Sequence, residues 1–244
     1  MGSADLNFAF LNLRGQPRGR EMLRHLLRAG FAPTLIIEEE SAMAERARAF
    51  FVRELPAENH PPELEEILCG RAIPYVEVSN HNDEECERRL RELNVELVVL
   101  GDTRIIGPKV MRVPRGGIIN THPGWLPDVR GNNPYVWAIL HDLPLGCSCH
   151  FIDEGIDTGP IILRRELRAH PGLTFGQLLA ELNRLCGELI ARVLRDYTRG
   201  PLDGRAQGGG PFPTFTKATP DVLAAAKAKL AAGAYRGALW PLQP

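Results

Sequence analysis

Short, nearly unbroken apolar runs recur along the first two thirds of the chain, separated by stretches with helical spacing. Residues 6–13 (LNFAFLNL) predict a buried strand, and residues 21–28 (EMLRHLLR) predict a helix that Gly30 terminates. Residues 33–38 (PTLIIE) predict a second strand, and residues 41–55 a helix capped by Ser41, with an apolar face through Met43, Ala47, Phe50 and Phe51. A proline-containing link and a short helix at 63–68 lead to a strand at 74–78. A charged amphipathic helix at 83–93 then precedes a strand at 95–100. Strands that are apolar on both faces and alternate with helices predict a parallel sheet covered on both sides.

The second half continues with a short helix or turn at 105–113, strands at 117–121, 145–152 and 161–167, and helices at 133–141 and 175–197. After Tyr197 the composition changes. Residues 200–213 (GPLDGRAQGGGPFP) predict a surface loop, and residues 219–233 an alanine-rich helix with Thr219 as N-cap and Pro220 in its first turn. The expected fold class is α/β: a Rossmann-like, mostly parallel sheet with helices on both faces. One catalytic domain is expected over residues 1–198, with a small C-terminal appendage over 199–244.

Composition narrows the function classes. A formal charge of −1, from 29 Lys+Arg and 30 Asp+Glu, gives no nucleic-acid or polybasic membrane signal. The N-terminal residues lack a secretory pattern, and no apolar run is long enough to span a bilayer, so a cytoplasmic location is expected. The five cysteines are irregularly spaced, which suits reduced thiols. Cys147-Ser148-Cys149-His150 invites a metal reading. Strand alternation places both cysteines on one face and His150 on the other, and no second ligand pair follows, so no metal is expected. The turn 15–19 (GQPRG) lacks the spacing of a dinucleotide fingerprint.

The chemistry concentrates in residues 113–162, where polar residues stand among closely spaced glycines and prolines. Asn120 and His122 close the strand at 117–121, and Asp157 lies in a glycine- and proline-bounded loop. Asparagine can hydrogen-bond a developing oxyanion without titrating. Histidine can move a proton near neutral pH, and a carboxylate can orient it. Each residue also has a structural use: Asn120 as a turn cap, His122 as a backbone partner near Pro123, and Asp157 in an Asx-turn. Together, and without a nucleophile motif, they fit direct acyl transfer with no covalent enzyme intermediate. The loop after the strand at 95–100 is an expected pocket wall, because ligands bind outside the carboxyl ends of such strands.

Asn120-x-His122-Pro123, Leu126-Pro127, Arg130-Gly131, Pro134, Trp137-Ala138-Ile139, Gly146, His150 and Asp157-x-Gly159-Pro160-Ile161 resemble the formyltransferases that use 10-formyltetrahydrofolate. This resemblance implies a catalytic trio. Asn120 would hold the formyl oxygen, His122 would act as general acid/base, and Asp157 would orient His122. It implies a pterin wall at Leu100, Gly101, Asp102, Thr103, Arg104, Ile105 and Ile106, faced by Asp153, Gly155 and Ile156, with backbone groups supplying most hydrogen bonds. Trp125, Arg130, Asn132, Asn133 and His150 are expected to contact the acceptor.

Many relatives carry Ser-Leu-Leu-Pro where this chain has Gly124-Trp125-Leu126-Pro127, which leaves the acceptor open. The balanced charge and short C-terminal segment disfavour a methionyl-tRNA acceptor. The same segment argues mildly against glycinamide ribonucleotide and matches the scale of nucleotide-sugar enzymes. The expected partner is a small-molecule amine such as an amino sugar nucleotide, with no nucleic acid and no membrane. Formyltetrahydrofolate hydrolysis and a non-catalytic folate-binding module are the alternatives. Leu223, Leu230 and Trp240 suggest a homodimer contact through the appendage.

Overall fold

The structure is a computed structural model that describes residues 6–237. Its frame is a seven-stranded sheet of β1 (Phe8–Leu13), β2 (Leu35–Glu39), β3 (Tyr75–Val78), β4 (Leu97–Leu100), β5 (Ile118–His122), β6 (Gly146–Phe151) and β7 (Ile161–Glu166), in the order β3-β2-β1-β4-β5-β6-β7. The first five strands are parallel. β6 runs antiparallel to β5, and β7 antiparallel to β6. The helices are α1 (Pro17–Arg28), α2 (Ala42–Glu54), α3 (Leu64–Leu68), α4 (Glu84–Glu92), α5 (Pro108–Met111), α6 (Pro134–Leu140), α7 (Phe175–Tyr197) and α8 (Pro220–Ala231). The expected α/β, Rossmann-like architecture is what the chain adopts.

Period-two alternation divides the core into two layers. Phe8, Phe10, Leu97, Val99 and Ile119 join one cluster with Cys147, Cys149 and the buried face of α7. Ala9, Leu11, Val98, Leu100 and Ile118 join the other, beneath α4 and α5. β5 is therefore apolar up to Ile119 on both faces, and its polar residues sit only at its carboxyl end.

Helix α1 begins at Pro17, four residues before the expected start. Proline at the first helical position has no N–H to leave unsatisfied. Gly19 makes the early turn feasible, because the Asn12 carboxamide occupies the place a Cβ would take.

The C-terminal helix packs on the rest of the chain. Leu230 is buried and Leu223 partly buried against the chain's own core, with α8 lying on α6. Trp240 lies outside the described residues. No helix among the described residues is long and apolar enough to cross a membrane.

Leu178 on α7 is fully buried, whereas Val52 on α2 is 67% exposed. Leu178→Ala is expected to lower unfolding free energy by about 2–5 kcal/mol through lost burial and the cavity left behind. Val52→Ala should change it by less than about 0.5 kcal/mol. Urea denaturation of both variants checks this, and equal effects would contradict the layer assignment.

Candidate functional site

The candidate site forms where the sheet changes from parallel to antiparallel. In the β5–β6 ladder Asn120 pairs with His150, and His122 with Ser148. These four side chains share one face, while Thr121 and Cys149 point into the layer beneath α7. Ser148 donates to the Gly124 carbonyl at 2.7 Å and accepts from the Leu126 N–H at 3.0 Å, which fixes the loop after His122. The peptide bond between Leu126 and Pro127 is cis. Gly124 admits the imidazole closely: a Cβ there would fall 2.6 Å from His122 Nε2.

Both histidines are oriented by carbonyls. His122 Nε2 donates to the Val129 carbonyl at 2.8 Å, which leaves Nδ1 turned to Asp157 Oδ2 at 3.5 Å. His150 Nδ1 donates to the Phe151 carbonyl at 2.7 Å. Its Nε2 lies 3.2 Å from Asn120 Nδ2 and 3.5 Å from Asp157 Oδ1. The Gly131 N–H donates to Asp157 Oδ2 at 2.8 Å. One carboxylate therefore faces two imidazoles, and one of those imidazoles faces the Asn120 amide.

Burial works against the Asp157 carboxylate. At the acid pH where a carboxylate titrates, the charge His122 then carries, the hydrogen bond and charge of His150 and the Gly131 N–H outweigh it, so the group stays well below the usual carboxylate range. Burial pushes the His122 imidazole below its ordinary value, and Asp157 only partly restores it. At neutral pH the pair is an ionised Asp157 beside a neutral His122 that can accept a proton only at Nδ1.

The loop after β4 is built mainly from anchored groups. Leu100 and Ile106 put their side chains into the core, 5% and 4% exposed. The Asp102 carboxylate pairs with Arg18 at 3.0 Å, and its backbone N–H donates to Asn12 Oδ1 at 3.1 Å. Arg104 also turns inward. Its Nε and Nη2 donate to the two oxygens of the fully buried Glu39, at 2.6 and 2.5 Å. Gly101 is buried, with its N–H donated to the Leu11 carbonyl at 2.8 Å, which leaves Thr103 and the exposed Ile105 to present backbone and an apolar tip. On the opposite loop Ile156 is 43% exposed. Gly155 is exposed, and its N–H donates to Asp153, whose carboxylate also takes the Thr158 hydroxyl and so closes the loop on itself.

The expected acceptor contacts divide in the same way. His150 joins the trio directly. The Trp125 ring lies beneath the Arg164 guanidinium, 4.6 Å from its centroid. Asn133 and Arg130 are committed elsewhere: Asn133 Oδ1 accepts from the Ala218 N–H, and Arg130 donates to Gln207 and the Gly208 carbonyl. Asn132 is exposed, and its N–H donates to the Phe215 carbonyl.

Sequence reasoning missed Arg18, Glu39 and Gln207. The acidic run 38–40 at the end of an apolar strand was a visible signal for Glu39, because a buried carboxylate needs a partner. Gln207, inside a glycine-rich loop, carried none. Among the described residues, no group of three or more His, Cys, Asp or Glu could hold a metal ion.

A family model described as formyl transferase matches residues 35–194. The chain belongs to the formyltransferase family. Among curated proteins it is 28% identical over 150 residues to a methionyl-tRNA formyltransferase of Thermodesulfovibrio yellowstonii, an alignment covering 61% of this chain and 49% of that one. The chain spans about half the length of the curated relatives it matches. In fold it is similar to the phosphoribosylglycinamide formyltransferase of Streptococcus pneumoniae (TM-score 0.61, 17% identity, covering 79% of this chain and 99% of that one). It is similar in the same sense to the formyltransferase PseJ of Anoxybacillus kamchatkensis (TM-score 0.55, 18% identity, 95% of each chain). At these identities the likeness is one of fold.

The site has a consequence for acid stability. The folded-state pKa of His122 lies below its unfolded value. As the pH falls through about 6.5 the unfolded chain takes up the proton first, and stability is lost. His81, likewise buried and lowered, acts in the same direction. The depressed Asp157 contributes stability above about pH 4 that is lost on further acidification. Unfolding free energy measured in urea is expected to fall between pH 7 and pH 5, and to fall less in His122→Gln. An identical pH dependence in the variant would contradict a neutral His122.

Proposed function

We propose that this chain transfers the formyl group of 10-formyltetrahydrofolate to a primary amine of a small molecule. The amine attacks directly and the reaction passes through a tetrahedral intermediate. The observation that carries the reading is the convergence of Asn120, His122, His150 and Asp157 at the carboxyl end of β5. Formyl transfer needs a donor for the developing oxyanion and an acceptor for the amine proton. The site offers both, with no nucleophile required.

Asn120 directs one amide N–H to His150, which leaves the second for the formyl oxygen, where charge develops. His122 takes the proton released by the attacking nitrogen at Nδ1, and Asp157 stabilises the imidazolium formed there. As the carbon–N10 bond breaks, the proton passes from His122 toward the departing nitrogen. The neutral resting state of His122 is the form this sequence of steps requires.

The residues present suit a folate at the mouth of the site. Ile105 and Ile156 expose apolar side chains on the two loops that flank it, surface that a bound ring would cover. With polar side chains such as Asp102, Arg104 and Asp153 already engaged, the backbone of residues 103–106 and 153–157 would read the pterin edge. When bound, the folate supplies the activated formyl group.

The favoured acceptor is an amino sugar nucleotide. The balanced charge and the extent of likeness to PseJ, whose structure holds a UDP-linked formamido sugar and tetrahydrofolate, support it. A second reading, methionyl-tRNA, is favoured by the sequence relatives. Purified protein is incubated with 10-formyltetrahydrofolate and, separately, a UDP-linked 4-amino sugar and methionyl-tRNA. Formylation of the sugar detected by mass spectrometry supports the first reading, and formylation of the tRNA alone replaces it. Folate release without a formylated amine would point to hydrolysis, and folate binding without turnover to a binding module.

His122→Ala is expected to lower kcat by about 10²–10⁴-fold, and Asn120→Ala by about 10²–10³-fold, with folate binding largely retained. The acid limb of kcat/KM should have its midpoint below about pH 6.5, because burial keeps His122 neutral. Full activity in His122→Ala would sink the mechanism.

A further inference from the structure

Across the mouth of the two site loops runs the segment that follows α7. Most of its residues from 201 to 209 are exposed, but Gln207 is half-buried between exposed Ala206 and Gly208. Its Nε2 donates to the carbonyls of Asp157 and Gly159, at 2.9 and 2.6 Å. Its Oε1 accepts from Nε and Nη2 of Arg130, at 3.2 and 2.8 Å. One carboxamide thus joins both loops. The first contains Val129 and Gly131, which hold His122 and Asp157; the second carries Asp157 itself.

Asp157 needs such a hold. Its φ of 54° lies in the left-handed region, which a non-glycine residue keeps only where its surroundings over-determine it. The segment is in turn secured on either side of Gln207. Arg205 exchanges two backbone hydrogen bonds with Ile161, both 2.8 Å, and the Phe215 N–H donates to the Arg130 carbonyl at 2.9 Å. The Phe215 ring stacks on Trp137 at 4.9 Å between centroids.

We propose that Gln207 is a positioning residue that sets the Asp157 carboxylate against His122, which makes the C-terminal segment part of the catalytic architecture. The proposal rests on the formyl-transfer reading of the site. Glutamine is suited to the task because its amide end offers two donors and an acceptor together. Glutamate has no donor for the two carbonyls, and asparagine is one methylene too short to reach both loops.

The test uses the full chain with ¹³C-labelled histidine. The His122 titration is followed by NMR and assigned with His122→Gln. Asp157→Asn is expected to lower the His122 midpoint by removing the carboxylate's upward pull. In Gln207→Leu the same replacement should lower it by less than about half as much, because the two groups are no longer held together. Gln207→Asn, whose amide cannot span both loops, supplies the background should the leucine variant fail to fold by circular dichroism. Equal shifts with and without Gln207 overturn the proposal.

With 10-formyltetrahydrofolate and the UDP-linked amino sugar, Gln207→Leu should lower kcat about tenfold or more, with KM for the folate changed less than about twofold. An unchanged kcat also overturns it. A wild type that formylates no amine refutes the formyl-transfer reading, while the NMR comparison still decides whether Gln207 positions Asp157.

Discussion

The site depends on keeping one carboxylate ionised in a buried place. Asp157 takes the Gly131 N–H and lies 3.5 Å from each of two imidazoles, and these neighbours keep it below the usual carboxylate range despite its burial. Removing any of them would leave a buried negative charge with fewer partners, a change that typically costs several kcal/mol. The surrounding backbone is arranged accordingly. The loop after β5 bends back so that Val129 and Gly131 face His122 and Asp157, and Ser148 ties that loop to the sheet.

The change of strand direction at β5 is what brings these groups together. In a wholly parallel sheet the next strand would arrive by a helical crossover, with its carboxyl end beside that of β5. Because β6 is antiparallel, residues from its middle and end lie opposite the carboxyl end of β5, and His150 meets Asn120 in register. β6 ends one residue beyond this pair, so Asp157 needs only a short turn to reach both histidines.

Much of this could be read from the chain, because the informative residues break a periodic pattern. Apolar runs gave every strand to within a few residues, and Asn120 and His122 stood out where an apolar strand met Pro123-Gly124. The cysteines of β6 were placed on the correct face by alternation alone, and they pack under α7. Long-range pairing was not legible. Arg104 looked available to a ligand but binds Glu39, 65 positions away. Asn133 and Arg130 looked like recognition groups but bind the C-terminal segment, 77 to 85 positions away. Spacing rules report neighbours along a helix or strand and carry no information about such partners.

Those distant pairings divide the labour of the site. Glu39, fully buried, immobilises Arg104 and takes the His81 N–H, so the loop after β4 is anchored by a charge beneath it. Its surface is then free to be backbone and aliphatic, which suits a flat heteroaromatic ring whose edge carries both donors and acceptors. The reacting groups need the opposite treatment. In the proposed transfer the protonation of His122 changes, and the site side chains are oriented through carbonyls and N–H groups that do not titrate: Val129 at His122, Phe151 at His150, Gly131 at Asp157. A fixed partner that itself titrated would move the pKa of the group it held whenever its own charge changed. Neutral backbone groups and the Gln207 carboxamide at the Asp157 carbonyl set position without adding another titratable group beside Asp157 and His122.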